Sequence, residues 1–246
     1  MKVLVAVRSC QYDRDQGCHK AIRETWGKAL PEWVDLRFFI GGAGAVPNEE
    51  DEICLSVDDG FADSSLWLKL MKMFDVVLEW DYDFIFLCDT DVYITPAMWT
   101  RTGFEKYDYS GDSCDIMVDG LSVEGEFGQQ YPDPFVGSDK FSLDPFYTFV
   151  GGGGRFLSKR AIAFLVKQDN SYGKLSEQLP EDLWIGQMLG PLIETGRMTG
   201  SVLPDFYHHT FFHMQATHNF EIRPNPADVV REAHALISAS VLWERK

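Results

Sequence analysis

Two uninterrupted apolar runs, VLVAV at residues 3–7 and FIFLC at residues 84–88, constrain this chain more than any other feature. A strand with one wet face alternates apolar and polar residues. A strand that is apolar at every position must be covered on both faces, as happens inside a parallel sheet with helices on each side. The intervening sequence fits that scheme. "HKAIRETWGKAL" predicts a helix closed by Pro31, Leu36–Ile40 a second strand and Ile53–Val57 a third. Trp67, Leu70, Met71, Phe74, Val77 and Leu78 recur at helical spacing, with Lys69 and Lys72 off that stripe. Strands alternating with helices predict an α/β fold built on a mostly parallel sheet.

The second half is less regular. Residues 103–146 are rich in Gly, Pro, Asp and aromatics without a clear period, which predicts surface loops or a short antiparallel excursion. "FVGGGGRFLSKRAIAFLVK" opens on glycines and predicts a helix from about Lys159. "LPEDLWIGQMLGPLI" predicts another, with Pro180, Glu181 and Asp182 in its first turn. A last helix is expected near Ala227–Trp243.

Lys and Arg number 22 against 38 Asp and Glu, a formal charge of -16. So acidic a chain is a poor partner for nucleic acid or an anionic membrane, and a phosphate-bearing ligand would need a metal or a few local basic residues. The five cysteines are odd in number and lack close metal-type spacing, which predicts reduced thiols. No stretch approaches the roughly 20 apolar residues of a membrane helix. The expectation is a soluble, cytoplasmic monomer.

Asp89 and Asp91 end the second apolar run, at the strand end where open α/β sheets bind ligands. On a strand, side chains two apart point the same way, so Asp89 and Asp91 can face one site at roughly 6–7 Å. Two such carboxylates suit a hard divalent cation, Mn²⁺ or Mg²⁺. Alternatively they are a solvated turn capping nearby amides. Four histidines (His208, His209, His213, His218) crowd one segment; His213 in "FFHMQ" is the first choice of ligand, with His209 and His218 still open. His19 and His234 fall on predicted helices and are expected to be uninvolved. Asp182, beside Glu181, is the candidate general base; the plainer reading is that both acids favour the start of their helix. The glycine run can let backbone approach a ligand or simply be a mobile loop, and Arg155 after it can meet a phosphate.

Five stretches in order, "AIRETWG", "DGFADSSLWLKLMKMF", "FLCDTDVYI", "VGGGGRFLS" and "PEDLWIG", resemble the motifs of the Fringe and β-1,3-galactosyl/N-acetylglucosaminyltransferase family of inverting glycosyltransferases. The resemblance runs from about Cys18 to Met188. It implies a single GT-A domain, Rossmann-like, whose nucleotide-binding half (1–95) ends in the D-x-D motif and whose acceptor-binding, catalytic half spans 96–246. It further implies a UDP-sugar donor, a glycan or glycoprotein acceptor, and Mn²⁺ held by Asp89 and Asp91 with a C-terminal histidine, His213 or His209. Carried over by position, Asp182 with Glu181 would serve catalysis. Arg8, Ser9, Arg23, Lys69 and the Asp89-Thr90-Asp91 motif would hold the donor, with Gly152 and Gly153 beside its sugar. The chain departs from the family pattern at Thr90, where relatives carry an acid. A glycan-binding protein on the same fold, or a nucleotide-sugar hydrolase, is the alternative function.

Overall fold

A computed structural model of the protein describes residues 1–42, 44–58, 63–111, 154–172, 181–203, 210–211, 225, 227–228 and 230–235. In chain order its elements are β1 (Val3–Ser9), α1 (Gln11–Asp15), α2 (Cys18–Glu24), β2 (Val34–Ile40), β3 (Glu52–Cys54), α3 (Asp63–Leu78), β4 (Phe84–Asp89), β5 (Tyr93–Ile94), α4 (Met98–Arg101), β6 (Tyr109–Gly111), β7 (Arg155–Ser158), α5 (Lys159–Tyr172), α6 (Glu181–Glu194), β8 (Gly200–Val202) and β9 (Thr210–Phe211). Residues 227–228 and 230–235 are helical as well.

Seven strands form one mixed, mostly parallel sheet in the order β3-β2-β1-β4-β7-β6-β8, and β5 pairs with β9 apart from it. The first four are mutually parallel, β7 runs antiparallel to both β4 and β6, and β6 and β8 are parallel. The apolar runs do what their composition requires: Val3–Val7 and Ile85–Cys88 are fully buried. Alternation then divides them between two layers. Leu4, Ala6, Ile85, Leu87 and Leu157 face α3, α5 and α6. Val3, Val5, Val7, Phe86, Cys88 and Phe156 face α2, Trp99, Phe104 and the helical Ala227 and Val230. Each large side chain so buried is worth about 1.5–3 kcal/mol.

Three expectations are revised. The helix expected over 19–30 stops at Glu24 and continues as a 3₁₀ turn, Trp26–Ala29. The Thr25 hydroxyl bonds back to the Ala21 carbonyl at 2.6 Å, an interaction that bends helices. Trp26, in the 3₁₀ turn, buries its indole and donates its N–H to the Val92 carbonyl at 3.0 Å. The third strand is shorter than expected, Glu52–Cys54. Strands β7 and β8 were not expected, and β6, in the stretch read as surface loops or a short antiparallel excursion, pairs antiparallel with β7.

Two register facts set up the site. Arg8 pairs across the sheet with Asp89, and Arg155 with Leu87. Because β7 is antiparallel, its first residue lies at the sheet edge where β1 and β4 finish. Gly154 makes that arrival possible: its φ is +95°, and a Cβ there would lie 2.3 Å from the Phe86 ring. Only glycine fits both demands.

Candidate active site

At the ends of β1, β4 and β7, the face covered by α3, α5 and α6 stops being apolar and becomes charged. Arg8 Nε donates to Asp89 Oδ1 at 2.8 Å, and Nη2 lies 2.8 Å from the same oxygen in the ion pair. Its Nη1 donates to Glu181 Oε1, in the first turn of α6. The same oxygen accepts Arg155 Nη2 at 3.1 Å. Arg155 is fully buried, and its Nε and Nη1 meet no partner among the described residues. Burial opposes the Arg8 charge, but Asp89, Glu181 and Asp182 together outweigh it and hold Arg8 firmly protonated. Burial would likewise lift the Glu181 carboxyl; Arg8 and Arg155 reverse this and bring it down to about 2. Glu181 is therefore a clamped carboxylate with little basicity, while its neighbour Asp182 is half-buried.

Strand geometry does not carry through the D-x-D motif, because β4 ends at Asp89 and Thr90–Asp91 form a turn. What orients this turn is a bond that sequence spacing did not suggest: Thr90 Oγ1 donates to Asp13 Oδ2 of α1 at 2.9 Å. Burial first, then the charges of Asp89 and Asp13, push the Asp91 carboxyl up to about 7. Trp26 secures the next residue through the Val92 carbonyl. The Thr90 hydroxyl thus ties Asp13 and α1 to the turn that follows β4.

Ser9, next to Arg8, points to the other side of the sheet. Its hydroxyl lies 2.6 Å from His19 Nε2, and His19 Nδ1 lies 2.8 Å from Glu52 Oε1. Burial lowers the His19 pKa, so the ring is neutral, donating from Nδ1 to Glu52 and accepting the Ser9 proton at Nε2. Burial would raise the Glu52 carboxyl; the Asn48 N–H, His19 and Arg14 bring it to about 2. Arg23 binds Asp51 through Nε and Nη2, reaches Glu52 at 3.2 Å, and lies over the Phe38 ring. Lys69 is buried and donates to the Ser9 carbonyl at 2.9 Å.

The structure therefore brings Arg8, Asp89 and Glu181 into one cluster, with the charge of Asp182 acting on Arg8 and that of Asp89 on Asp91. Ser9 and Arg23 belong to a second, separate network, in which His19, expected to be uninvolved, is central. Sequence reasoning passed over Asp13 and Glu52, two acids among 38 Asp and Glu with no motif to single them out. Gly152, Gly153, His209 and His213 lie outside the described residues. Among the described residues no three His, Cys, Asp or Glu side chains are grouped to hold a metal ion. Surface hollows of about 510 Å³ beside Arg160 and Arg197, and about 470 Å³ beside Arg23 and Asp51, include none of Arg8, Asp89, Asp91 or Glu181. No described helix is long and apolar enough to cross a membrane.

No protein-family model matches the chain, and no curated protein matches it. Among solved structures it is similar to the glycosyltransferase GlyE of Streptococcus pneumoniae TIGR4, with 12% identity and a TM-score of 0.45. That likeness covers 83% of this chain and 46% of the other, so the chain spans just under half the length of that structure. A likeness so distant carries no argument about chemistry, and any activity must be argued from the site itself.

Proposed function

We propose that the protein is a metal-dependent inverting glycosyltransferase that moves a sugar from a nucleotide-sugar donor, UDP-linked as the motif resemblance implies, to a hydroxyl of a glycan acceptor. One observation carries this reading: a single guanidinium, Arg8, is held by the last residue of the D-x-D strand and by the first turn of the helix bearing Asp182. Two acidic motifs far apart in sequence are thereby joined at the sheet edge where α/β proteins bind ligands.

Carboxylates are the ligands a hard divalent cation takes, and the charges of Asp89 and Asp13 act on Asp91 although, among the described residues, the three acids are not grouped as a ready-made metal centre. Arg8, the cation beside Asp89, is shared with Glu181. Asp91 and Asp89 would hold Mn²⁺ or Mg²⁺, which would offset the charge of the departing diphosphate. Asp182 takes the proton from the acceptor hydroxyl as that oxygen bonds to the anomeric carbon. The bond from that carbon to the diphosphate oxygen breaks, and the diphosphate leaves with the electron pair. Attack opposite the leaving group inverts the anomeric centre.

The test is incubation of the purified protein with a panel of nucleotide sugars and glycan acceptors, with and without Mn²⁺. Transfer from at least one donor, lost on removing the cation and lost in Asp91→Ala, is expected. Asp182→Asn should lose transfer by about 10²–10⁴-fold while still binding donor. Unchanged turnover in Asp91→Ala would overturn the metal assignment. Release of free sugar with a competent acceptor present would favour a hydrolase.

A further inference from the structure

The Asp89–Arg8–Glu181–Arg155 chain has more structure than a helix start needs. Acids in the first turn of a helix ordinarily sit in water and interact with its dipole. Glu181 is instead buried, and its Oε1 accepts from arginines of two different strands. Arg155 is fully buried and spends Nη2 on Glu181 in an ion pair. Arg8 spends its remaining edge on Asp89. Two guanidiniums and two carboxylates balance in charge, with their hydrogen bonds running from β4 through β1 to α6 and back to β7.

We propose that Glu181 is a positioning residue: clamped between Arg8 and Arg155, it fixes the first turn of α6, and with it Asp182, relative to the end of β4 that carries Asp89. This rests on Asp182 being the base of the proposed transfer, and it takes Glu181 out of the proton chemistry. Asp182 is the next residue of the same turn, so any sideways shift of Glu181 is passed on to it. A displacement of about 1 Å can cost a reaction about 10²-fold in rate. The clamp also joins the donor end of the site to its acceptor end. Arg155 becomes a working part of the site although it is buried and distant in sequence from both acidic motifs.

The test uses the full chain and three variants, Glu181→Gln, Arg155→Met and Glu181→Gln/Arg155→Met, with kcat and donor KM measured separately at a temperature where each is folded. The expected result is a fall in kcat of about 10²-fold for each single variant with donor KM nearly unchanged. The double variant should lose no more than the worse single one, because both remove the same device. Arg155→Lys, which keeps the buried charge, should recover part of the lost kcat and serves where Arg155→Met fails to fold. Amide hydrogen exchange supplies a readout that needs no turnover: the first turn of α6 should exchange faster in the single variants while α5 is unchanged. Wild-type kcat in Glu181→Gln, a rise in KM with kcat unchanged, or effects that multiply in the double variant would each overturn the proposal. If the wild-type protein transfers no sugar at all, the transferase reading fails and the positioning role falls with it. Exchange unchanged at α6 in the variants would instead show that no clamp exists, whatever the activity.

Discussion

Arg8 and Ser9 are neighbours on one strand, yet they anchor two polar networks of opposite character. The Ser9 network is nearly closed: among its members only Arg14 Nε meets no partner among the described residues. His19 is satisfied at both ring nitrogens by Ser9 and Glu52, and Glu52 is further held by Arg14, Arg23 and the Asn48 N–H. The Arg8 network is unfinished. Arg155 keeps donors that meet no partner among the described residues, and burial, with the like charges of Asp89 and Asp13, pushes the Asp91 carboxyl up to about 7. A buried polar network with nearly every member satisfied rigidifies a fold, whereas perturbed, incompletely compensated groups mark places where a ligand does the compensating. In the proposed mechanism the Arg8 side is the working half and the Ser9 side the scaffold.

The largest expected effect breaks the Ser9 network. Glu52→Gln removes the acid shared by three cationic or protonatable partners, leaving buried charge unbalanced, and should cost about 3–5 kcal/mol in urea unfolding. A loss well below 1 kcal/mol would show that this network is not the scaffold.

The two networks should also respond to pH in opposite directions, which sharpens the comparison. Asp91 has a folded pKa raised from 3.8 to about 7, so the folded state holds the extra proton between those values, and its contribution to stability falls as pH rises through that window. His19 has a folded pKa lowered from 6.5, so its contribution is present above that value and falls as pH drops below it. Going from about pH 7.5 to about pH 5.5 without divalent cation, Asp91→Asn should lose stability relative to wild type and His19→Gln should gain it. Parallel behaviour of the two variants would erase the distinction. Glu52 and Glu181 stay ionised across this range; their contributions, present above about 4.5, are lost only as pH falls toward about 2.

The smallest effect concerns the joint between α1 and the D-x-D turn. Thr90→Val removes the bond to Asp13 and should cost about 1.5 kcal/mol in the same unfolding measurement. A neutral result would mean that the turn is held elsewhere, with Trp26 and the Val92 carbonyl the next place to look.

Much of this was legible beforehand, for specific reasons. Val3–Val7 and Phe84–Cys88 announced a doubly covered sheet because no other placement hides five consecutive apolar side chains. Asp89 was placed at a strand end, and Glu181 and Asp182 at a helix start, from local pattern alone. Strands β7 and β8 escaped, and β6 stayed undecided between loop and antiparallel excursion, because three or four residues carry too little period to tell the two apart. Thr90 misled differently: alternation was extended past Asp89, but the strand stops there and a turn takes over.

Composition and periodicity by themselves determined the layered α/β plan, the burial of its central strands and the position of each acidic motif within its own element, because those follow from hiding apolar area at fixed helical and strand periods. Only the tertiary structure decided that Arg155 would be buried against Glu181, that Arg8 would join β4 to α6, and that His19 would link Ser9 to Glu52. Those pairings depend on strand order and on the antiparallel direction of β7. Both are settled by contacts between distant parts of the chain, and no local pattern records them.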